Sequence, residues 1–127
     1  MIGSPGNRGA SIEKPRARID VPDGLLPARA RFCDRVMQRA MALEMFRIDF
    51  NNGRSPQEAL VGIIELAHKI AGVAETIGFP EAGQLAAALE RITSDFAEGQ
   101  APLEEVWLSV EPQLVALIDE LELIMDK

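Results

Sequence analysis

The sequence holds one cysteine and one histidine in 127 residues, and each scarcity excludes a class of chemistry. Cys33 has no partner for an internal disulfide, and with only His68 beside it no cysteine-based metal cluster can form. A lone histidine also cannot supply a His-Glu-x-x-His zinc motif. Cys33 falls within an apolar helical period, so the expectation is a buried core thiol, and nothing next to it in sequence would activate it as a nucleophile paired with His68. This cysteine usage suits a reducing, cytoplasmic setting. No stretch reaches the roughly 18 consecutive apolar residues of a membrane span, and the first residues lack the apolar core of a signal peptide. A soluble protein without a membrane partner is expected. Alternating strand-like Val and Ile runs and internal repeats are missing as well.

What is present points to one acidic globular domain. Asp and Glu number 20 against 13 Lys and Arg, a net charge of −7, and that field works against nucleic-acid binding. The 47% hydrophobic content suits a packed core, and a chain of this length closes one without disulfides or structural metal. Residues 1–22 differ in character. Gly3, Pro5, Gly6, Gly9, Pro15 and Pro22 break any period, and Arg8, Lys14, Arg16 and Arg18 make the segment locally basic. It reads as a flexible leader with solvated charge, ahead of a folded unit over 23–127.

Four apolar periods at helical spacing follow. The first, from about Leu26 to Asp49, repeats through Cys33, Val36, Met37, Ala40, Leu43 and Phe46. Phe32, Met41, Met45 and Phe50 widen its stripe beyond a narrow seam, which leaves core burial and a partner-docking surface both open. Ser55, Pro56 and Glu58 form a helix-start signature with a Ser-x-x-Glu capping box, and the second helix runs from Pro56 to about Ile77. Gly78 is its natural left-handed terminator, and Pro80 begins the third, which repeats through Ala82, Leu85, Leu89, Ile92 and Phe96 up to Gly99. The fourth passes through Leu103, Val106, Val110, Leu114, Leu117, Leu121 and Ile124. Pro112 interrupts it without changing the phase of the stripe, which predicts a kink or restart. Trp107 reads as a core or edge-packing residue. The fold class is all-α: an antiparallel four-helix bundle, with a short element near Leu25 and Leu26 covering one end. Four helices close a core, so a monomer is the simpler expectation.

The second helix carries the chemistry. Leu60, Ile63, Ala67, Ile70, Ala74 and Ile77 define its inward stripe, and at ~100° per residue His68 stands about 130° from the stripe's centre. The ring is therefore expected on the surface or the rim, against the competing expectation of a satisfied core histidine. Ile64 and Gly72 lie one turn away on either side, and Val61, Glu65 and Glu75 extend the patch. A helical glycine costs roughly 1 kcal/mol relative to alanine; Gly72 removes bulk where another molecule must approach, unless it is a merely tolerated residue. Neutral imidazole, with an unperturbed pKa near 6.5, offers a nitrogen lone pair that can attack phosphorus on a partner's acyl phosphate. Lys69 points about 100° round the helix; it is a candidate for offsetting phosphoryl charge, with ordinary solvation as the competing reading. Glu65 and Glu75 are candidates for orienting an imidazole proton. One histidine with helical glutamates is no metal-ligand constellation, and a hydrolase would need a more defined acid, nucleophile and pocket.

The run Ala67-His68-Lys69-Ile70-Ala71-Gly72-Val73-Ala74-Glu75-Thr76-Ile77-Gly78 resembles the phosphoacceptor helix of histidine-containing phosphotransfer (HPt) domains. Leu85 and Leu89-Glu90 fit the family's following helix, and the long first and last helices extend the likeness over roughly residues 25–125. The resemblance implies that His68 accepts phosphate on Nε2 from the aspartyl phosphate of a response-regulator receiver domain, including one in a hybrid histidine kinase, and passes it to another. It implies no cofactor on this chain, since Mg²⁺ and the aspartate belong to the receiver, and no autonomous kinase activity. Ile64, Gly72 and the surface of the first helix would dock the receiver. Many family members carry lysine three residues after the histidine where this chain has Ala71, and Lys69 is the candidate to compensate. The alternative is a helical adaptor that binds receivers without relay chemistry.

Overall fold

Each apolar period becomes a helix. In the computed structural model, which describes residues 21–99 and 101–125, α1 covers Leu26–Asn51, α2 Pro56–Val73, α3 Pro80–Gly99 and α4 Leu103–Met125. A 3-10 turn over Asp23–Leu25 precedes α1 and touches it. Residues 1–20, and with them nearly all of the expected leader, lie outside the described residues, as does the side chain of Phe96.

The helices close into a ring in which α1 packs on α2 and α4, and α3 packs on the same two. Named contacts give the directions. Phe46 of α1 meets Gly62 near the start of α2, while Phe32 stacks on Phe79 just past its end, with centroids 5.5 Å apart. Asn51 at the end of α1 meets Trp107 and Glu111 near the start of α4. Neighbouring helices therefore run antiparallel, as short connections require. Leu43, Ile63, Ile70, Leu89, Leu114, Leu117 and Leu121 fill the centre with no solvent exposure, and such burial contributes roughly 1.5–3 kcal/mol per side chain.

The wide stripe of α1 divides. Phe32, Val36, Ala40 and Leu43 are buried, whereas Met37, Met41 and Met45 are each more than half exposed. Cys33 is exposed too, which corrects the expectation of a core thiol. Phe32 takes the inward direction there, and adjacent helical residues are turned ~100° apart. Where α1 meets α4, polar contacts set the register. Arg47 bridges Glu44 and Glu111 at 3.0 Å each. Asn51 donates to Glu111 at 3.0 Å and accepts from Trp107 Nε1 at 2.8 Å, and Trp107, itself buried, stacks on Phe50 with ring centroids 4.0 Å apart.

The helix ends follow the sequence in part. The capping box does not form: Ser55 adopts φ +46° and makes no side-chain cap bond. A capping serine needs extended backbone, but here Gly53 at φ +75° starts a tight reversal in which Arg54 N–H reaches Asp49 O at 2.8 Å. At the other end of α2, Gly78 takes φ +98° and Phe79 N–H reaches back to Ala74 O at 2.8 Å, the six-to-one bond of a Schellman stop. This keeps Ala74 and Ile77 buried although the regular helix ends at Val73. Pro112 lies exposed inside a single continuous α4, so the helix does not restart there.

Two glycines of α2 predict opposite responses. A Cβ at Gly62 would run into the Phe46 ring, whereas one at Gly72 meets nothing within 4 Å. Gly62→Ala is expected to lower unfolding stability by about 1–3 kcal/mol, and Gly72→Ala to raise it by up to ~1 kcal/mol. Urea unfolding of the two variants checks the pair, and shifts of the same sign would contradict it.

Candidate functional site

Ala67 and Ile70 are fully buried on either side of His68, so the packing of α2 turns the histidine outward. Its side chain is 74% exposed, in line with the helical phase and against a core histidine. The ring is not loose. Nδ1 lies 2.5 Å from Oε2 of Glu90 on α3. A carboxylate can only accept, so the proton of the neutral ring sits on Nδ1 and is donated to Glu90. That leaves the Nε2 lone pair directed away from α3. Glu90 is held in turn by its neighbour Leu89, which is fully buried, so the carboxylate is carried at the edge of the packed α2–α3 seam.

The other residues singled out from the sequence fall around this pair. Ile64 is half-buried one turn before His68, and Gly72 is exposed one turn after it. The space over Gly72 is open. Lys69 is exposed, with no ion pair among the described residues. Glu65 is exposed and lines a shallow depression with Phe46 and Val61. Glu75 rests against Gly83 at the start of α3. The carboxylate placed on the ring is therefore Glu90, not Glu65 or Glu75. Ala71, which stands where a lysine is common in the family it resembles, is half-buried against the core.

Glu90 had a signal that sequence reading missed. His68 and Glu90 are 22 residues apart, and the midpoint is Phe79, at the turn between α2 and α3. In an antiparallel helical hairpin, residues equally far from the turn come level with each other, so counting outward equally in both directions from Phe79 pairs the histidine with this glutamate. Beyond the pair, no group of three or more His, Cys, Asp and Glu among the described residues could hold a metal ion, and no described helix is long and apolar enough to cross a membrane.

Comparison with known proteins gives one result. A family model described as the Hpt domain matches residues 28–124, a span that contains His68, Gly72 and Glu90. No curated protein and no solved structure matches the chain.

The contact between the two side chains predicts a tautomer. Nitrogen-15 NMR of the neutral ring is expected to report the Nδ1–H form as dominant in the unaltered chain, and Glu90→Ala to move it toward the Nε2–H form. An unchanged tautomer ratio in the variant would remove Glu90 from the orienting role.

Proposed function

The chain belongs to the Hpt domain family and functions in histidine phosphotransfer within a two-component relay, and from that premise we propose that His68 is the residue that carries the phosphoryl group. One observation supports this above the rest: the chain's only histidine is 74% exposed, with Nδ1 occupied by Glu90 and Nε2 without a partner among the described residues. In the proposed step, Nε2 attacks phosphorus in line on the aspartyl phosphate of a receiver domain. The P–O bond to the aspartate breaks, its electron pair returns to the carboxylate, and an Nε2–P bond forms. The ring gains positive charge as its lone pair is used, and Glu90, hydrogen-bonded to Nδ1–H, stabilises that charge and keeps the ring aimed. Reversing the step on a second receiver delivers the phosphoryl group onward.

A nucleophile on a rigid helix gives both reach and direction. The packed bundle holds the ring before the partner arrives, so less orientational freedom is lost on docking. In this reading Ile64 offers an apolar contact to the receiver, and Gly72 leaves room for it. Lys69 supplies a mobile positive charge near the phosphoryl group in place of the lysine absent at Ala71, and Glu65 and Glu75 contribute only to the outer field. Mg²⁺ and the acceptor aspartate come with the receiver. The partners proposed are response-regulator receiver domains, those of hybrid histidine kinases included, met in the cytoplasm by a monomeric bundle over 23–127 with residues 1–22 as a leader.

Incubation with a phosphorylated receiver domain is expected to leave acid-labile, alkali-stable phosphate on the unaltered chain and none on His68→Gln. That variant changes an exposed ring, so it should fold normally. Phosphate of this kind on His68→Gln would overturn the assignment. Receiver binding without any transfer to the unaltered chain would favour the adaptor reading.

A further inference from the structure

Between α1 and the end of α2 lies a groove of about 280 Å³ that carries Arg31, Arg35 and Arg39 on one wall and Gly72 and Val73 on the other. The arginines recur every four residues, which stacks them along one face of α1. Like charges at this spacing repel, yet among the described residues no carboxylate lines the groove. Two other arginines do have carboxylate partners: Arg47 pairs with Glu44 and Glu111, and Arg54 with Asp49.

Arg39 is the telling member. Its guanidinium lies over the Phe32 ring, 5.4 Å from the centroid. Its Nη1 is buried with no hydrogen-bond partner among the described residues. Native structures seldom leave a buried donor unpaired, because the lost hydration is not repaid. Burial first, and then the charge of Arg35, lower the Arg39 pKa from its ordinary value. An incoming anion relieves the unpaired donor and the uncompensated charge together, and a planar guanidinium meets a carboxylate with two parallel bonds.

We propose that Arg39 and Arg35 form a seat for an acidic side chain on the docking surface of the incoming receiver domain, beside the reacting histidine. The position favours a protein carboxylate over the transferred phosphoryl group. Gly72 is one turn past His68, and Arg39 leans on Phe32, whose ring stacks on Phe79 beyond the far end of α2. The groove runs from Gly72 on to Thr76 and Ile77 and does not include His68, so it lies along the path that a partner covering His68 and Gly72 would occupy. The missing side chain at Gly72 keeps the approach open. This inference rests on His68 as the relay residue, and it assigns the arginines to partner recognition.

Loading the chain by two routes separates the roles. One donor is a phosphorylated receiver domain chosen because it transfers to the unaltered chain; the other is phosphoramidate, a small donor that needs no docking surface. Arg39→Glu is expected to raise the receiver's KM by about tenfold or more with a smaller change in kcat, while phosphoramidate loading stays the same. Arg35→Glu, at an exposed position, should act in the same direction and guards against misfolding of the first variant. Arg39→Lys should fall between. Added salt should weaken transfer to the unaltered chain more than to the charge-reversed variants. Receiver transfer unaffected in both Glu variants overturns the proposal. Slowed loading from both donors overturns it too, because the arginines would then serve the phosphoryl group itself. Phosphoramidate loading that persists in His68→Gln marks a different failure, that of the histidine assignment.

Discussion

Ile63, Ala67, Ile70 and Ala74 have no solvent exposure, and together they fix how α2 is turned about its own axis. The functional reading depends on that rotation. Were α2 turned by one residue, about 100°, an isoleucine would face water and the imidazole would be drawn toward the core. The penalty for exposing several such side chains, roughly 1.5–3 kcal/mol each, is large beside the marginal stability of a domain. The orientation of the His68 ring is thus secured by the apolar residues on the opposite side of its helix.

Rotation sets where the ring lies; α3 sets how it is used. The turn at Gly78 reverses the chain so that Glu90 comes level with His68, and the 2.5 Å contact places a carboxylate on Nδ1. The remaining nitrogen, without a partner among the described residues, then keeps its lone pair, which a lone surface histidine presents there only part of the time. A third element, α1, borders the same region with Arg35 and Arg39. The helix that carries His68, the proposed nucleophile, is therefore flanked on one side by the carboxylate on its ring and on the other by the arginines proposed to meet a partner.

Features governed by local spacing were readable from the sequence. The four helices, the left-handed stop at Gly78, the start at Pro80 and the outward direction of His68 all follow from residues within one or two turns of each other. Features that depend on what arrives from elsewhere in the chain were not. Cys33 looked apolar enough for the core, but Phe32 beside it points inward instead. Met37, Met41 and Met45 continue a helical stripe that no other described helix covers. Ser55 has the right chemistry for a cap, and the reversal begun at Gly53 denies it the backbone conformation. Glu65 and Glu75 were nearer His68 in sequence, while the contact belongs to a residue 22 positions on, because antiparallel packing of α2 and α3 decides proximity there.

The central claim is that Glu90 holds the proton of His68 on Nδ1 and leaves Nε2 to form the bond to phosphorus. The most direct measurement is phosphorus–nitrogen coupling by NMR in the phosphorylated, nitrogen-15-labelled chain. The account predicts a coupling to Nε2 of His68 with the proton retained on Nδ1. Phosphorus bonded to Nδ1, or to any other residue, would contradict it.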